Sequence, residues 1–330
     1  MKRILVFCLF SALPLRAEAA EPVATGPTLS LRALAFSPDA KKLAVAEQDR
    51  VRIYEIATGK RLEDRPACRI TTTVTWSLDG KSIAAGGYSG SGKAQGEIYL
   101  WRTGQKPLNW RTGSAMVNGM AFSPNGQVLA TATAGDNEAC NTPGSARLWK
   151  VADGQLWRTL GNYSGNGSDI AFDSDGKSVA YCWTNGSANK YQTVLCDTAT
   201  GRVRQKWTQS PRTFIFEKGK PLFKAAPLAR RVKSGIEYRV EEINGADHMR
   251  YRFLVSKPGV KKPLTDVELG YGASSALFGG DYLATVMIEN HFPGYESRVD
   301  IWKIEGFRAR KIRSVAAGSY GLEDEKAGAS

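Results

Sequence analysis

One short motif recurs along this chain and limits its fold more than any other feature of the sequence. An aromatic residue ends a β-rich run and a tight turn follows it, as in the stretch VNGMAFSPNGQVLATATA at 117–134. In that turn proline presets the backbone angle φ, asparagine bonds nearby backbone groups and glycine takes the left-handed conformation. Each copy therefore predicts a β-hairpin. The first strand of each clear copy ends in a triplet whose last residue is aromatic, at 34–36, 74–76, 120–122 and 170–172. Weaker copies lie at 214–216 and 276–278.

Two further β-rich segments follow each hairpin. A third strand with an anchor residue is predicted at 52–59, 98–104, 147–154, 194–201, 252–259 and 300–306. A more polar fourth strand comes next, for example at 155–160 and 202–207. Units of four short antiparallel strands at roughly 40 to 60 residue spacing are typical of a β-propeller. The sequence thus predicts an all-β fold, a β-propeller of six four-stranded antiparallel blades, and the degenerate stretch 209–272 leaves seven blades open.

The repeats resemble those of the WD-repeat family of β-propellers over about residues 31–315. The aromatic-Ser-Pro-Asp/Asn-Gly turn and the Leu-Trp pair of the third strand carry this resemblance. The chain departs from the family because Arg102, Lys150 and Lys303 follow the third-strand tryptophans, and because it has neither a Trp-Asp nor a Gly-His dipeptide. The buried hydrogen-bond network typical of the family is therefore absent or replaced. The hairpin also resembles that of the propeller in the periplasmic Tol translocation system.

Enlarged links occur at one place in the repeat. The distance from each third-strand anchor to the next aromatic residue is nearly constant, and the second strand begins about seven residues after that aromatic. The variation in repeat length therefore lies in the link between the second and third strands. These links share one face of a propeller, and loops on a rigid scaffold often carry function. They are expected at 88–97, 135–146, 185–192, 230–247 and 289–298. The candidate binding residues on them are Tyr88, Lys93, Asp136, Asn137, Tyr191, His291, Phe292, Tyr295 and Arg298.

The first 20 residues differ from the rest of the chain. Lys2 and Arg3 precede an apolar stretch at 4–15, and an A-x-A sequence follows at 17–19. This pattern predicts a secretory signal peptide, since a membrane span needs about 20 apolar residues. We expect a protein that is exported, either periplasmic or secreted, and does not span a membrane. The expected division is a signal peptide at 1–20, a lead-in at 21–30, the propeller at 31–315 and a disordered tail at 316–330.

The cysteines bear on this expectation, because an oxidising compartment permits disulfides. Cys68 and Cys140 fall on the same face of adjacent blades, and we expect a disulfide between them. Cys182 and Cys196 lie on the second and third strands of one blade. They form a cross-strand disulfide only if they sit opposite each other at a suitable separation. The alternative is that Cys196 is a buried thiol where other blades have tryptophan.

Charge and residue types narrow the function. The formal net charge of +13, densest at 230–233 and 308–313, makes an anionic polymer or lipid a possible partner. Nucleic acid is not expected, because the chain is predicted to be exported. The chain has only two histidines, His248 and His291, and neither a zinc-binding spacing nor a nucleophile or phosphate motif. We therefore expect no catalytic residue, metal or cofactor.

The resemblance to WD-repeat proteins implies protein partners, bound on the loop-rich face around the central opening. The sequence therefore favours an exported, non-enzymatic β-propeller that serves as a protein-binding or assembly scaffold. Two alternatives stay open. One is an enzyme or small-ligand binder with an axial pocket, and the other is a binder of anionic polysaccharide or lipid through the basic patches.

Overall fold

The chain folds as β-strands throughout the residues that the structure describes. The computed structural model describes residues 31–321 apart from 91–93, 136–142, 186–189, 209–214, 218–219, 223–228, 234–235, 244–249, 257–264, 272, 292–293 and 307. The predicted signal peptide, the lead-in and residues 322–330 lie outside the described residues. Within the described residues every regular secondary-structure element is a β-strand, as the all-β prediction requires.

The strands form antiparallel units of four in chain order, which we number from the N-terminus. Unit 1 comprises β1 (Ala33–Phe36), β2 (Lys42–Ala46), β3 (Arg50–Glu55) and β4 (Arg61–Pro66), and unit 2 comprises β5 (Ile70–Trp76), β6 (Ser82–Ser89), β7 (Gln95–Arg102) and β8 (Leu108–Arg111). Unit 3 comprises β9 (Met116–Phe122), β10 (Val128–Ala134), β11 (Gly144–Lys150) and β12 (Leu156–Tyr163), and unit 4 comprises β13 (Asn166–Phe172), β14 (Ser178–Asn185), β15 (Lys190–Asp197) and β16 (Val203–Trp207). One pairing of Ala134 with Asn166 joins units 3 and 4.

The C-terminal part of the chain continues this arrangement after a short interruption. A separate hairpin consists of β17 (Ile215–Glu217) and β18 (Lys220–Leu222). Unit 5 comprises β19 (Ala229–Lys233), β20 (Ile236–Ile243), β21 (Arg250–Ser256) and β22 (Thr265–Tyr271), and unit 6 comprises β23 (Ala273–Gly279), β24 (Tyr282–His291), β25 (Gly294–Glu305) and β26 (Arg308–Gly321). The β17–β18 hairpin lies in the degenerate stretch 209–272 and β17 packs against β13. The choice between six and seven blades stays a prediction.

The first strands of the units form the inner wall of a ring. Strand β1 packs against β5, β5 against β9, and β9 against β13, while β23 of unit 6 packs back against β1. The fourth strands β4 and β16 are mostly exposed. A buried cluster that includes Leu43, Tyr54 and Ile301 fills the seam between units 1 and 6. This arrangement, in which unit 6 packs back against unit 1, is the β-propeller that the repeats predict.

The turns between the first and second strands have the expected chemistry. In unit 3 the Ser123 hydroxyl donates to Asn125 Oδ1 (2.7 Å) and accepts the backbone N–H of Val128 (3.0 Å). Gly126 completes the turn with φ +70°, which side chains with a Cβ disfavour. Ala40 takes the equivalent place in unit 1 at φ +55°, a strained position for a non-glycine residue.

A tryptophan–threonine bond connects the second and third strands in two units. In unit 3, Trp149 Nε1 on β11 donates to Thr131 Oγ1 on β10 (2.9 Å), and in unit 6 Trp302 Nε1 donates to Thr285 Oγ1 (3.1 Å). Both threonines are fully buried. Because a buried indole N–H needs an acceptor, these bonds satisfy the third-strand tryptophans without a histidine.

Arginine side chains make one repeated contact between neighbouring units. The guanidinium of one unit donates to a backbone carbonyl in the turn between the third and fourth strands of the next. The bonds run from Arg102 to Ala152 (2.8 Å), from Arg158 to Ala199 (2.7 Å) and Thr200 (3.0 Å), and from Arg313 to Ala57 (2.5 Å). The last of these joins unit 6 to unit 1 and so helps to close the ring.

Three predicted boundaries are corrected by the strand pairing. The triplet at 214–216 does not belong to the first strand of unit 5; its described residues are in β17, and β19 is that first strand. The expected loop at 230–247 contains most of β19 and all of β20. Strand β26 runs to Gly321, past the predicted boundary at 315, because 318–321 pair with 294–297 of β25.

The structure shows neither of the expected disulfides among the residues that it describes. Cys68 is a free thiol whose Sγ donates to the carbonyl of Glu97 at 3.4 Å, and Cys140 lies outside the described residues. Cys182 is opposite Thr193 and Cys196 is opposite Val179, so this register separates the two cysteines along the ladder. Burial raises the pKa of the Cys68 thiol to about 12 and those of Cys182 and Cys196 to about 11.

Candidate binding face

The face expected to carry long loops carries extended hairpins in place of most of them. The link in unit 1 is short, because β2 ends at Ala46 and β3 begins at Arg50. In unit 2 the strands continue to Ser89 and from Gln95, and in unit 4 to Asn185 and from Lys190. Half of each of the expected loops 88–97 and 185–192 is therefore strand. Backbone hydrogen bonds between the paired strand ends fix the positions of these strand residues.

The longest extension belongs to unit 6. Strands β24, β25 and β26 contain 10, 12 and 14 residues, whereas β2 contains 5. The rungs between β24 and β25 continue to His291 opposite Gly294, and β26 pairs alongside as far as Gly321. We call residues 287–291, 294–298 and 318–321 the projecting sheet.

The structure brings some of the predicted binding residues together. Its projecting sheet contains His291 at the end of β24, Tyr295 on β25 opposite Asn290, and Arg298 opposite Met287. Tyr88 on β6, half-buried, and Tyr191 on β15 lie on the extended hairpins of units 2 and 4. Lys93, Asp136, Asn137 and Phe292 lie outside the described residues. Among the described residues, strand pairing places these candidates on separate hairpins of units 2, 4 and 6.

A buried carboxylate anchors the base of the projecting sheet. Asp300, whose side chain is 2% exposed, lies 3.1 Å from Arg298 Nε and 2.9 Å from Lys311 Nζ. It also accepts a hydrogen bond of 2.6 Å from the Ser314 hydroxyl. Two cations and a hydroxyl satisfy a charge that would otherwise be costly to bury. Arg298 therefore has a structural contact in addition to its predicted place on the binding face.

Hydroxyl groups support the hairpin of unit 3 where β10 ends and β11 begins. Ser145 Oγ lies 3.0 Å from Thr133 Oγ1 and 3.1 Å from Ser114 Oγ. The single proton of the Tyr163 hydroxyl is shared between the carbonyls of Thr133 and Ser145, each of which lies 3.0 Å from the phenol oxygen. Burial raises the pKa of Tyr163 well above its ordinary value. The phenol thus stays a neutral donor that holds the two strands at the start of this link.

Polar residues at β-bulges connect the inner strands on this side of the ring. Thr72, Asn118 and Ser168 are each the extra residue at a register shift in β5, β9 and β13. Asn118 Nδ2 donates to the carbonyl of Gly167 in the next unit (2.8 Å), and Thr72 donates to the carbonyl of Val117. Sequence reasoning missed them, although each lies four positions before the aromatic residue of its repeat.

Glu47 in the short link of unit 1 is a fully buried acid. Its Oε2 lies 2.9 Å from Arg52 Nη1, and Arg52 Nε lies 3.3 Å from Asp64 Oδ1. Burial raises the pKa of Glu47 to about 7, although the charge of Arg52 opposes this shift. The group therefore titrates near neutral pH.

The described residues show neither a metal centre nor a helical membrane span. Within them no three His, Cys, Asp or Glu side chains come together as a metal ion would require. The same part of the chain has no helix with the length and apolar character needed to cross a membrane.

Comparisons with known proteins agree with this architecture. The model of the family described as WD domain, G-beta repeat matches residues 106–150, which contain β8 to β11. The chain is 26% identical over 148 residues to an uncharacterised WD repeat-containing protein of Synechocystis sp., and this alignment spans 44% of the chain and 39% of that relative. The solved structure of Kuenenia stuttgartiensis hydrazine synthase matches with a TM-score of 0.51 and 12% identity, covering 85% of this chain and 78% of that one. At this identity the structural match shows the fold alone.

Proposed function

Since this chain is a divergent WD-repeat-like β-propeller, we propose that it acts as an exported, non-enzymatic scaffold that binds a protein partner. WD repeat domains commonly serve as protein-interaction scaffolds and are typically non-enzymatic. The signal-peptide pattern at 1–20 supports export to the periplasm or the exterior.

The projecting sheet is the observation that carries the proposal. It extends the hairpin of unit 6 beyond the length that unit 1 uses for the same link, and Asp300 with its two cations anchors its base. A paired three-stranded sheet loses little conformational entropy when it binds, so its residues suit recognition of a folded partner. His291, Tyr295 and Arg298 are the residues of this sheet that we assign to the contact.

The proposal is tested by shortening this hairpin. Residues 289–296 are replaced by Asn-Gly, which joins Ile288 to Ser297, two residues that already pair, through a two-residue hairpin turn. Tagged protein is purified from the periplasmic fraction, where an intact mass beginning at Ala20 or Glu21 tests export. We expect the variant to lose most of the envelope protein that the parent captures after crosslinking.

The control is Leu78→Ser, in a turn on the opposite face where Leu78 is 65% exposed. It is expected to capture the same partner as the parent. Undiminished capture by the shortened variant, with circular dichroism and thermal unfolding like those of the parent, would show that the partner binds elsewhere. An uncleaved N-terminus would contradict export.

A further inference from the structure

A cleft of about 670 Å³ lies between units 3 and 4, on the face opposite the projecting sheet. It opens among the turns that join first to second strands, around Asn125 and Gly176, and the turn after the third strand of unit 4, around Thr198. Because successive hairpin links alternate between the two faces, these turns lie away from the extended hairpins. Trp157 of unit 3 and Arg204 of unit 4 line the cleft from the two fourth strands.

The two fourth strands present these side chains through β-bulges. The register of β11 and β12 shifts between Leu148 and Trp149, which leaves Trp157 as the extra residue. The register of β15 and β16 shifts in the same place and leaves Arg204 as the extra residue. A bulge redirects the side chain that it carries. Trp157 is 37% exposed, a high value for an indole side chain.

The walls of the cleft are held in place by contacts between the units. Arg158, beside Trp157, donates to the carbonyl of Ala199 at 2.7 Å, and its guanidinium carbon lies 5.4 Å from the centroid of the Trp157 ring. Arg204 donates to the Ser178 hydroxyl at 3.0 Å and forms an ion pair with Asp197. Hydrogen bonding by Arg204 lowers the pKa of Asp197 to about 2. The binding surface is therefore formed before any ligand arrives.

Side chains, more than backbone groups, are available for recognition in this cleft. The turn amides of Gly126, Gly176 and Thr198 donate to carbonyls within the fold. Backbone groups that are already paired cannot add a peptide as a further strand. The side chains of Asn125 and Gln127 also line the cleft. Asn125 Oδ1 accepts the Ser123 hydroxyl and Asn125 Nδ2 donates to Gln127 Oε1 (3.4 Å), so the remaining amide N–H groups of the two residues are the donors available to a ligand. In addition, the Thr198 hydroxyl is buried and has no hydrogen-bond partner among the described residues.

The charge of the lining selects for an anionic group. Lys177 lies 3.7 Å from Asp175, and Arg204 is paired with Asp197. Lys150 is exposed and is the lining cation for which no ion pair is recorded within the described residues. One carboxylate on a ligand would balance the positive charge of Lys150.

We propose that this cleft binds an acidic saccharide. The apolar face of a pyranose ring packs on Trp157, hydroxyl groups bond to the amides of Asn125 and Gln127, and the carboxylate of the sugar pairs with Lys150. An apolar surface with a few convergent polar groups is the usual composition of a small-ligand site. This site is separate from the projecting sheet and does not depend on the proposed protein scaffold.

The test is calorimetric titration of the full mature protein with tetrasaccharides of pectin, alginate and hyaluronan. We expect at least one to bind, and its methyl ester to bind more weakly. Trp157→Ala should weaken that binding about tenfold, as for an aromatic residue central to a contact. Lys150→Gln should weaken it about threefold, as for an exposed ion pair, and remove the preference for the acid over the ester.

The chain offers a matched control for each variant. Leu62, 39% exposed, is the extra residue at the corresponding bulge of unit 1, and Lys303 follows the third-strand tryptophan of unit 6 as Lys150 does in unit 3. Leu62→Ala and Lys303→Gln are expected to leave the affinity unchanged. Absence of binding by all three saccharides at millimolar concentration would overturn the proposal. Equal binding of hexaglutamate that Trp157→Ala does not change would overturn it as well, because charge alone would then explain the site.

Discussion

At the scale of the residue, burial gives Glu47 properties that its sequence context does not reveal. In the sequence it stands in a polar stretch, EQDR, that reads as an exposed turn at 47–50. In the structure its side chain is fully buried beside Arg52, because the link between units 1 and 2 covers the turn through bonds to the carbonyls of Gln48 and Asp49. The result is a carboxyl whose pKa is raised from 4.5 to about 7.

This pKa predicts a pH dependence of stability. Between 4.5 and about 7 the unfolded state loses the Glu47 proton while the folded state keeps it, so this stabilisation is lost as the pH rises through that window. Glu47→Gln removes the titration and should flatten the pH dependence of the free energy of unfolding by on the order of 1–3 kcal/mol. Urea unfolding from pH 4.5 to 8 measures it.

The control for this prediction is Glu55→Gln, in a partly exposed side chain on the neighbouring strand β3. It should leave the pH profile of the parent in place. A Glu47→Gln profile as steep as that of the parent would show that other groups cause the dependence.

At the scale of the element, one bond decides how the second and third strands of unit 3 are held together. Trp149 is 5% exposed, and its indole N–H has Thr131 Oγ1 as its acceptor. The sequence shows that the family's Gly-His and Trp-Asp pairs are missing, but it does not show what satisfies the tryptophan, because Thr131 lies 18 positions away on a different strand.

Removal of this acceptor is expected to destabilise the protein. Thr131→Val keeps the shape of the side chain and leaves the buried N–H of Trp149 without its partner, at a cost of about 1–3 kcal/mol. Thr131→Ser retains the hydroxyl and should cost less. Chemical denaturation of both variants measures the difference, and equal stabilities would mean that the hydroxyl contributes nothing.

At the scale of the whole molecule, noncovalent contacts join the first unit of the ring to the last. The first and last units meet through the buried cluster around Leu43 and Ile301, and Arg313 donates to the carbonyl of Ala57. The guanidinium also covers Gly59, whose φ of +73° forms the turn that it contacts. These residues come together only when both ends of the propeller have folded.

Loss of this contact should weaken the closure. Arg313→Ala is expected to cost about 1 kcal/mol, since the bond is charge-assisted but partly exposed. Arg310→Ala, at an exposed position on the same strand, is the matched control. Urea unfolding compares the two, with amide exchange of the turn at 56–59 as a local measure. Equal effects of the two substitutions would show that the Arg313 contact does not stabilise the seam.

The sequence by itself determined the parts of this protein that depend on neighbouring residues. Four consecutive residues such as Ser123 to Gly126 encode a turn, and alternation along a few positions encodes a strand, so the hairpins, the third strands and the β-propeller fold could be predicted. The resemblance to WD-repeat proteins also rested on these local motifs, and the family match at 106–150 agrees with it.

The tertiary structure decided what depends on contacts between distant residues. Pairing extended the strands into segments predicted as loops, placed β19 in unit 5, and set Cys182 opposite Thr193. The hydrogen bond from Arg313 to the carbonyl of Ala57 joins residues 256 positions apart, so no local sequence pattern predicts it. The cleft beside Trp157 likewise depends on side chains from the bulged outer strands of two units, because register and packing fix the position of each side chain.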